Sequence, residues 1–163
     1  MGRLAHLLKN WENHSPEKVL IDTVKICFRN GIKFEYQNWN SYFSNGSLKN
    51  TEIRLEEDSK NDEKQGFLLS IQGVDIELIE LGQDKAFDYL IPNKNLCSLA
   101  YIEPVWQENL ELIFLFIYEY LNINRDDYFW FEGEDILSWE SIQNFEKDGF
   151  ESFLKVVGIP DCS

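Results

Sequence analysis

The most apolar stretch of the chain, PVWQENLELIFLFIYEYL, runs from Pro104 to Leu121 and limits the possible folds more than any other part. Twelve of these eighteen residues are Val, Trp, Leu, Ile, Phe or Tyr. At about 1.5 Å per residue, a helix of this length spans roughly 27 Å, the width of a small domain. Proline suits the first turn of a helix, so the pattern predicts a central apolar helix over 104–121, with a central strand as the alternative.

Two carboxylates make this stretch unsuitable for a membrane. Glu111 and Glu119 leave seven uncharged residues between them, whereas a membrane-spanning helix needs about 20. Near the N-terminus, Lys9 and Glu12 interrupt a short apolar run, so the pattern is not that of a signal peptide. We therefore expect a cytoplasmic protein with a core helix on which other elements pack.

The composition predicts a single domain over residues 1–163. A chain of this length with 44% hydrophobic residues can bury a core of ordinary size. The cysteines Cys27, Cys97 and Cys162 are odd in number and lack a paired spacing, which favours reduced thiols in a cytoplasm.

The N-terminal third combines helical patterns with ambiguous ones. Leucines and Trp11 at helical spacing predict a short helix over residues 3–13. Ser15-Pro16-Glu17 supplies the cap, the proline and the acid that favour a helix start, and Gly31 suits a helix end. Residues 32–43 alternate only in part, so either a short strand or an irregular helix fits them. The predicted buried face of the helix before Gly31 consists of Val19, Leu20, Val24, Cys27 and Phe28.

The middle of the chain has the pattern of an antiparallel sheet. Apolar and charged residues alternate from Thr51 to Glu80, which predicts a meander whose polar run Glu56–Gly66 forms a hairpin connection. The predicted fold class is α+β, with an antiparallel sheet of about four to six strands and helices packed on one face. The remaining predicted elements are strands over 96–102 and 127–131, a helix from Ser138 to Phe145, and a helix over 150–157.

The sequence lacks the motifs of catalysis and of cofactor binding. His6 and His14 are its two histidines, and both lie in the first fourteen residues, a segment that we expect to fray. No cysteine or histidine has a second one at metal-ligand spacing, and no dinucleotide, Walker or Gly-x-Ser-x-Gly motif occurs. We therefore expect no cofactor, no metal and no enzymatic activity.

The net charge of the chain is −14 and is unevenly distributed. Residues 1–50 carry a net charge of +3, whereas residues 51–163 carry −17. Such a surface repels nucleic acid, whose binding requires Lys and Arg against phosphates, and it repels anionic membranes. It attracts cationic partners, although acidic charge also simply keeps a protein soluble. We therefore expect neither nucleic acid nor a membrane as a partner.

Acids and aromatic rings are interleaved in the segment 126–151, which carries nine Asp or Glu and one Lys, a net charge of −8. Rings can anchor a partner, and carboxylates can pair with its Arg and Lys side chains. The alternative is that the rings belong to the core and the acids to a solvated loop. The residues predicted to contact a partner are Asp126, Asp127, Trp130, Glu132, Glu134 and Asp135.

The apolar stretch ends in Tyr118-Glu119-Tyr120-Leu121 and is followed by Asn124-Arg125-Asp126-Asp127-Tyr128-Phe129-Trp130 and an acidic, aromatic tail. In these residues the sequence resembles small bacterial immunity proteins, which neutralise toxins of polymorphic or contact-dependent growth inhibition systems. The resemblance covers roughly residues 105–150 and implies an acidic, cytoplasmic, non-catalytic protein. Its implied partner is a cognate toxin domain with a basic face, often a nuclease, that it binds and blocks. The resemblance assigns no site residue and leaves the oligomeric state open.

Two other functions fit the same features. A carboxylate pair among Glu132, Glu134 and Asp135 could serve a small hydrolase as acid and base, which requires a cleft around these residues. Alternatively, rows of acids could mimic nucleic acid in an inhibitor of the phage type. The mildly basic residues 1–50 depart from an all-acidic binding protein and would either face away from the toxin or meet a different patch on it.

Overall fold

The computed structural model describes residues 3–57, 66–74, 87–105, 107–148 and 153 of the chain. Within these ranges the strands are β1 (Arg3–Asn10), β2 (Lys33–Tyr42), β3 (Leu48–Glu56), β4 (Gly66–Gln72), β5 (Leu96–Val105), β6 (Tyr128–Phe131) and β7 (Ile136–Leu137). The helices are α1 (Pro16–Asn30), α2 (Leu110–Ile123) and α3 (Trp139–Asp148). Short 3-10 turns cover Trp11–Asn13 and Gln107–Asn109.

The seven described strands form one antiparallel sheet in the order β2-β3-β4-β5-β1-β6-β7. Helix α1 packs mainly over β3, β4 and β5, and α2 contacts both α1 and α3. Side chains such as Leu69 of β4 and Phe129 of β6 share the core with Phe116 of α2. The predicted α+β class with an antiparallel sheet is confirmed, and the sheet is larger than the four to six strands expected.

Strand β1 corrects the prediction of a helix over residues 3–13. It lies in the interior of the sheet between β5 and β6, and Leu7 and Leu8 are both fully buried. A strand with both faces covered carries an apolar run instead of clean alternation, and such a run resembles a helical pattern. Between Leu7 and Leu8 the pairing skips Leu99 of β5, which is a bulge in the neighbouring strand. The N-terminal residues therefore organise the sheet instead of fraying.

Helix α1 begins and ends as predicted. The Ser15 hydroxyl accepts a hydrogen bond from the Lys18 backbone N–H at 3.2 Å, and Gly31 ends the helix with φ of +64°. Helical spacing predicts that Phe28 lies on the buried face of α1, but in the structure Phe28 is 76% exposed. The face that packs on the sheet passes through Thr23, Ile26 and Cys27, and Phe28 lies about 100° around the helix from Cys27.

Helix α2 confirms a core helix but begins later than predicted. It starts at Leu110, while Pro104 belongs to β5, and a 3-10 turn joins the two elements. An apolar run alone does not distinguish a buried strand from a buried helix. The predicted start of the helix at Pro104 therefore lies six residues before the observed start at Leu110. Its buried residues are Leu110, Leu112, Ile113, Phe116, Ile117, Tyr120 and Leu121.

The other predicted elements have mixed outcomes. The ambiguous segment 32–43 is strand β2, and the meander is confirmed in β3 and β4, whose ends Glu56 and Gly66 face each other across the predicted hairpin. Ser138 accepts a hydrogen bond from the Ser141 backbone N–H at 3.2 Å at the start of α3. The predicted helix over 150–157 and the end of the predicted meander at Glu80 lie outside the described residues, apart from Phe153.

Gly73, which follows β4, provides a test of this strand arrangement. Its N–H donates to the Lys49 carbonyl at 2.7 Å, and a Cβ at this position would collide with the Leu48 carbonyl oxygen and come within 2.9 Å of the Phe43 ring. We expect Gly73→Ala to lower the free energy of unfolding by about 1–3 kcal/mol, because backbone must move to admit the methyl group. Urea denaturation measures the change, with the exposed Ser44→Ala as control. An unchanged midpoint would contradict the close approach.

Candidate partner-binding surface

A tight turn joins β6 to β7 at the outer end of the sheet and carries three of the predicted site residues. Gly133 adopts φ of +84°, and the Glu134 N–H donates to the Phe131 carbonyl at 2.9 Å. Glu132 and Asp135 are exposed, and Glu134 is half-buried. The structure therefore brings Glu132, Glu134 and Asp135 together in one acidic turn, residues 132–135.

Asp126 is exposed but lies apart from the acidic turn. It precedes β6, whereas the turn follows it. Four strand residues at about 3.3 Å each put at least roughly 13 Å between the two ends of β6. Next to Asp126, the Arg125 guanidinium lies over the Trp139 ring, 5.1 Å from its centroid. Asp126 and the acidic turn therefore form separate parts of the surface.

Asp127 lies in the interior, contrary to its predicted place on the contact surface. It is 3% exposed, and its carboxylate accepts hydrogen bonds from Lys9 Nζ at 3.0 and 3.1 Å and from the Tyr120 hydroxyl at 2.9 Å. Burial raises the pKa of this carboxyl group, and the Lys9 ammonium and the Tyr120 hydroxyl partly oppose that rise. Asp127 thus joins β1, α2 and β6 internally and is not presented to a partner.

Trp130 is half-buried and held in place on the face of the sheet opposite Phe129. Its Nε1–H donates to the Glu134 carbonyl at 3.1 Å, and its ring stacks on His6 with centroids 5.5 Å apart. The Phe87 and Tyr89 rings meet it edge-on at 6.3 and 6.1 Å. Tyr89 is 69% exposed and adds an accessible ring beside Trp130 that no local sequence pattern indicates.

His6 connects the acidic turn to the centre of the sheet. The Glu132 carboxylate can only accept, so His6 Nε2–H donates to Glu132 Oε1 at 2.9 Å. In the neutral imidazole, Nδ1 then accepts from the Ser98 hydroxyl at 3.1 Å. These contacts restrict the Glu132 side chain. No local sequence pattern indicates these contacts, because they depend on β1 lying between β5 and β6.

Serine hydrolases also have an imidazole that lies between a hydroxyl and a carboxylate. In this protein the His6 ring contacts the Phe87 and Trp130 rings, which cover part of it. A cavity of about 260 Å³ lies beside Ile32–Glu35 and Glu56, and a smaller one of about 100 Å³ lies between β3, β4 and Tyr101. Neither is lined by His6, Ser98 or the acidic turn.

The described cysteines have the properties of structural thiols. Burial raises the pKa of Cys27 to about 11 and, together with the charge of Asp127, raises that of Cys97 to about 12. Such thiols stay protonated near neutral pH and react slowly. Across the part of the chain that the structure describes, no cluster of three His, Cys, Asp or Glu side chains could hold a metal ion, and no helix could span a membrane.

Comparison of the chain with models of protein families, with characterised proteins and with solved structures finds no match.

Proposed function

We propose that this chain is a cytoplasmic immunity protein, which binds a cognate toxin domain and blocks its active-site face without catalysing a reaction. The observation that carries the proposal is the acidic turn at the end of the sheet, in which Glu132 is exposed yet held by His6. The resemblance of residues 105–150 to immunity proteins supports the same function.

The geometry of the turn suits capture of a basic surface. A carboxylate that is already restrained loses little conformational freedom when it pairs with an Arg or Lys of the partner. Tyr89 lies beside Trp130 and offers an exposed ring next to the acids, the combination found at the centre of tight interfaces. The partner class that fits is a toxin domain with a basic face, such as a nuclease, whose nucleic-acid site the acids would occupy.

Growth rescue tests the proposal directly. The proposal predicts that a toxin domain is encoded beside this gene, and that domain is to be expressed with and without the chain in the same cells. We expect growth to stop with the toxin alone and to recover on co-expression, and the purified pair to co-elute. If the toxin remains lethal in the presence of folded chain, the immunity function is wrong.

Charge reversal at the turn tests the contact surface. We expect Asp135→Lys to slow association with the toxin by roughly threefold at low salt, and by less at high salt, because it weakens electrostatic steering. Stopped-flow or surface plasmon resonance measures the rate. The matched control is Glu57→Lys, an exposed reversal next to β3, which changes the net charge equally. Equal effects of the two variants would contradict a localised contact at the turn.

A hydrolase is the second candidate, favoured by the position of His6 between Ser98 and Glu132. In that function the Ser98 hydroxyl would attack an acyl carbonyl, His6 would take its proton and Glu132 would orient the ring. This set differs from the carboxylate pair that the sequence indicated. A fluorophosphonate probe should then label the wild type and not Ser98→Ala, and an unlabelled wild type would dismiss this candidate.

A further inference from the structure

Helix α1 and strand β2 leave a group of large apolar side chains on the surface. Phe28 is 76% exposed, Ile21 and Tyr36 are each 53% exposed, and Phe34 is 37% exposed. The Phe28 and Phe34 rings meet edge-on with centroids 6.0 Å apart. Apolar side chains grouped in this way mark an interaction site more often than isolated ones do. We call these four residues the α1–β2 patch.

The patch results from an incomplete layer of helices. Phe34 and Tyr36 stand opposite Leu55 and Ile53 of β3, two core residues, so they lie on the face of the sheet that carries the helices. Helix α1 packs mainly over β3, β4 and β5, and it meets β2 through the exposed Phe28 ring against Phe34. The helix-bearing side of β2 is therefore open, and something placed beside α1 could cover it.

Strand β2 also offers a backbone edge. Among the described strands it is terminal in the sheet and pairs with β3 alone, in an unbroken register from Lys33 to Gln37. The outer edge of such a strand presents N–H and C=O groups to which another strand can bond. The edge lies directly beside the apolar rings of the patch, so a strand added there would carry side chains onto them.

The charges around the patch complement those of a second copy of the chain that runs antiparallel to the first. Along the exposed side of α1, Glu17 and Lys18 lie side by side near the start, whereas Lys25 and Arg29 lie near the end. Glu17 already accepts a hydrogen bond from the Leu48 N–H at 2.9 Å, so the charges that match between two copies are those of β2. In β2, a two-fold axis at Phe34 would place each exposed Lys33 opposite the Glu35 of the other copy, a favourable cross-strand pair.

We propose that two copies of this chain pair antiparallel through β2, so that the sheet continues across a two-fold axis at Phe34. The rings of Phe28, Phe34 and Tyr36 from both copies fill the space between the two α1 helices. A basic toxin face is a poorer occupant, because it would meet Lys25 and Arg29. The acidic turn lies at the opposite end of each sheet, so the dimer presents two toxin-binding surfaces.

Sedimentation equilibrium of the full chain over a range of concentrations tests the proposal. We expect the wild type to approach twice its chain mass of 19.3 kDa. Phe28→Glu and Phe34→Glu should each raise the dimer dissociation constant about tenfold or more, as expected for central interface rings. Tyr89→Glu is the matched control, since Tyr89 is an exposed ring outside the patch. Circular dichroism checks that each variant is folded.

A cross-link tests the two-fold axis separately. In antiparallel strands, directly opposed residues lie about 4.5–5.5 Å apart at their Cα atoms, within the range of a disulfide. Phe34→Cys with Cys162→Ser should form a covalent dimer under mild oxidation, whereas Tyr89→Cys should not. A wild type that is monomeric at all concentrations, a dimer unaffected by both glutamate variants, or cross-linking at 34 no faster than at 89 would each overturn the proposal.

Discussion

Replacing Asp127 with alanine is expected to lower the free energy of unfolding by about 3–5 kcal/mol, because the substitution leaves the Lys9 ammonium buried without its carboxylate. The side chains of Lys9 and Asp127 are 12% and 4% exposed, so water compensates little of the loss. The Tyr120 hydroxyl also loses its acceptor. Chemical denaturation measures the change, with the adjacent exposed Asp126→Ala as the control, for which we expect about 0.5 kcal/mol or less.

A double replacement separates the ion pair from the packing around it. Lys9→Met/Asp127→Leu removes both charges and keeps apolar volume, so its stability should be much closer to the wild type than that of Asp127→Ala. Such a result would mean that the pair positions β1 against β6 more than it stabilises the fold. A double variant as unstable as the single one would show that the interior at this point requires the charges.

The pH dependence of stability has a defined sign at this site. The native state raises the pKa of Asp127 above the ordinary value of 3.8, so it binds a proton more readily than the unfolded chain does. Protonated Asp127 therefore contributes to the free energy of unfolding below pH 3.8, and this contribution is lost as the pH rises through the raised native pKa. The difference in unfolding free energy between wild type and Asp127→Asn should vary with pH in that window, and a constant difference would contradict the raised pKa.

Phe116→Ala is the second substitution with a large expected effect, a loss of about 3–5 kcal/mol of unfolding free energy. Phe116 is fully buried in α2, and its ring lies 5.6 Å from that of Phe67 in β4 and 6.3 Å from that of Phe129 in β6. Alanine would leave a cavity where the helix joins both halves of the sheet. Since the site lies among three elements, partial collapse would fill the cavity only by displacing α2.

The matched comparison for Phe116 is Phe28→Ala, the same chemical change at a residue that is 76% exposed. Thermal and urea unfolding at low concentration, where copies do not associate, should show a change of about 0.5 kcal/mol or less for Phe28→Ala. Similar losses at the two positions would contradict the assigned burial and would place Phe28 in the core, as its helical spacing alone had indicated.

Local patterns were sufficient for much of the fold. The boundaries of α1 follow from Ser15, Pro16 and Gly31, because caps act on backbone groups three or four residues away, within one turn of the helix. The strands β3 and β4 follow from alternation, because one of their faces is wet and the other dry. The apolar run predicts helix α2 but not the residue at which this helix begins.

The site depended more on tertiary structure. The sequence indicated the acids and rings of β6 and its flanks, yet exposure of Glu132 and Asp135 and burial of Asp127 follow from which strands lie beside β6. His6, Lys9 and Tyr89 had no local signal, since their partners are Glu132, Asp127 and Trp130, dozens of residues away in the chain.

The amino-acid sequence by itself therefore determined the α+β class, the capped helix α1, the apolar core helix and the acidic, aromatic character of residues 126–151. The tertiary structure decided that residues 3–10 form an interior strand, which carboxylates remain exposed, and that Phe28 lies outside the core. The physical reason is the distance along the chain between the residues that determine each feature. Helix caps and one-sided burial are encoded within a few residues, whereas strand order and the pairing of buried charges depend on segments that meet only after folding.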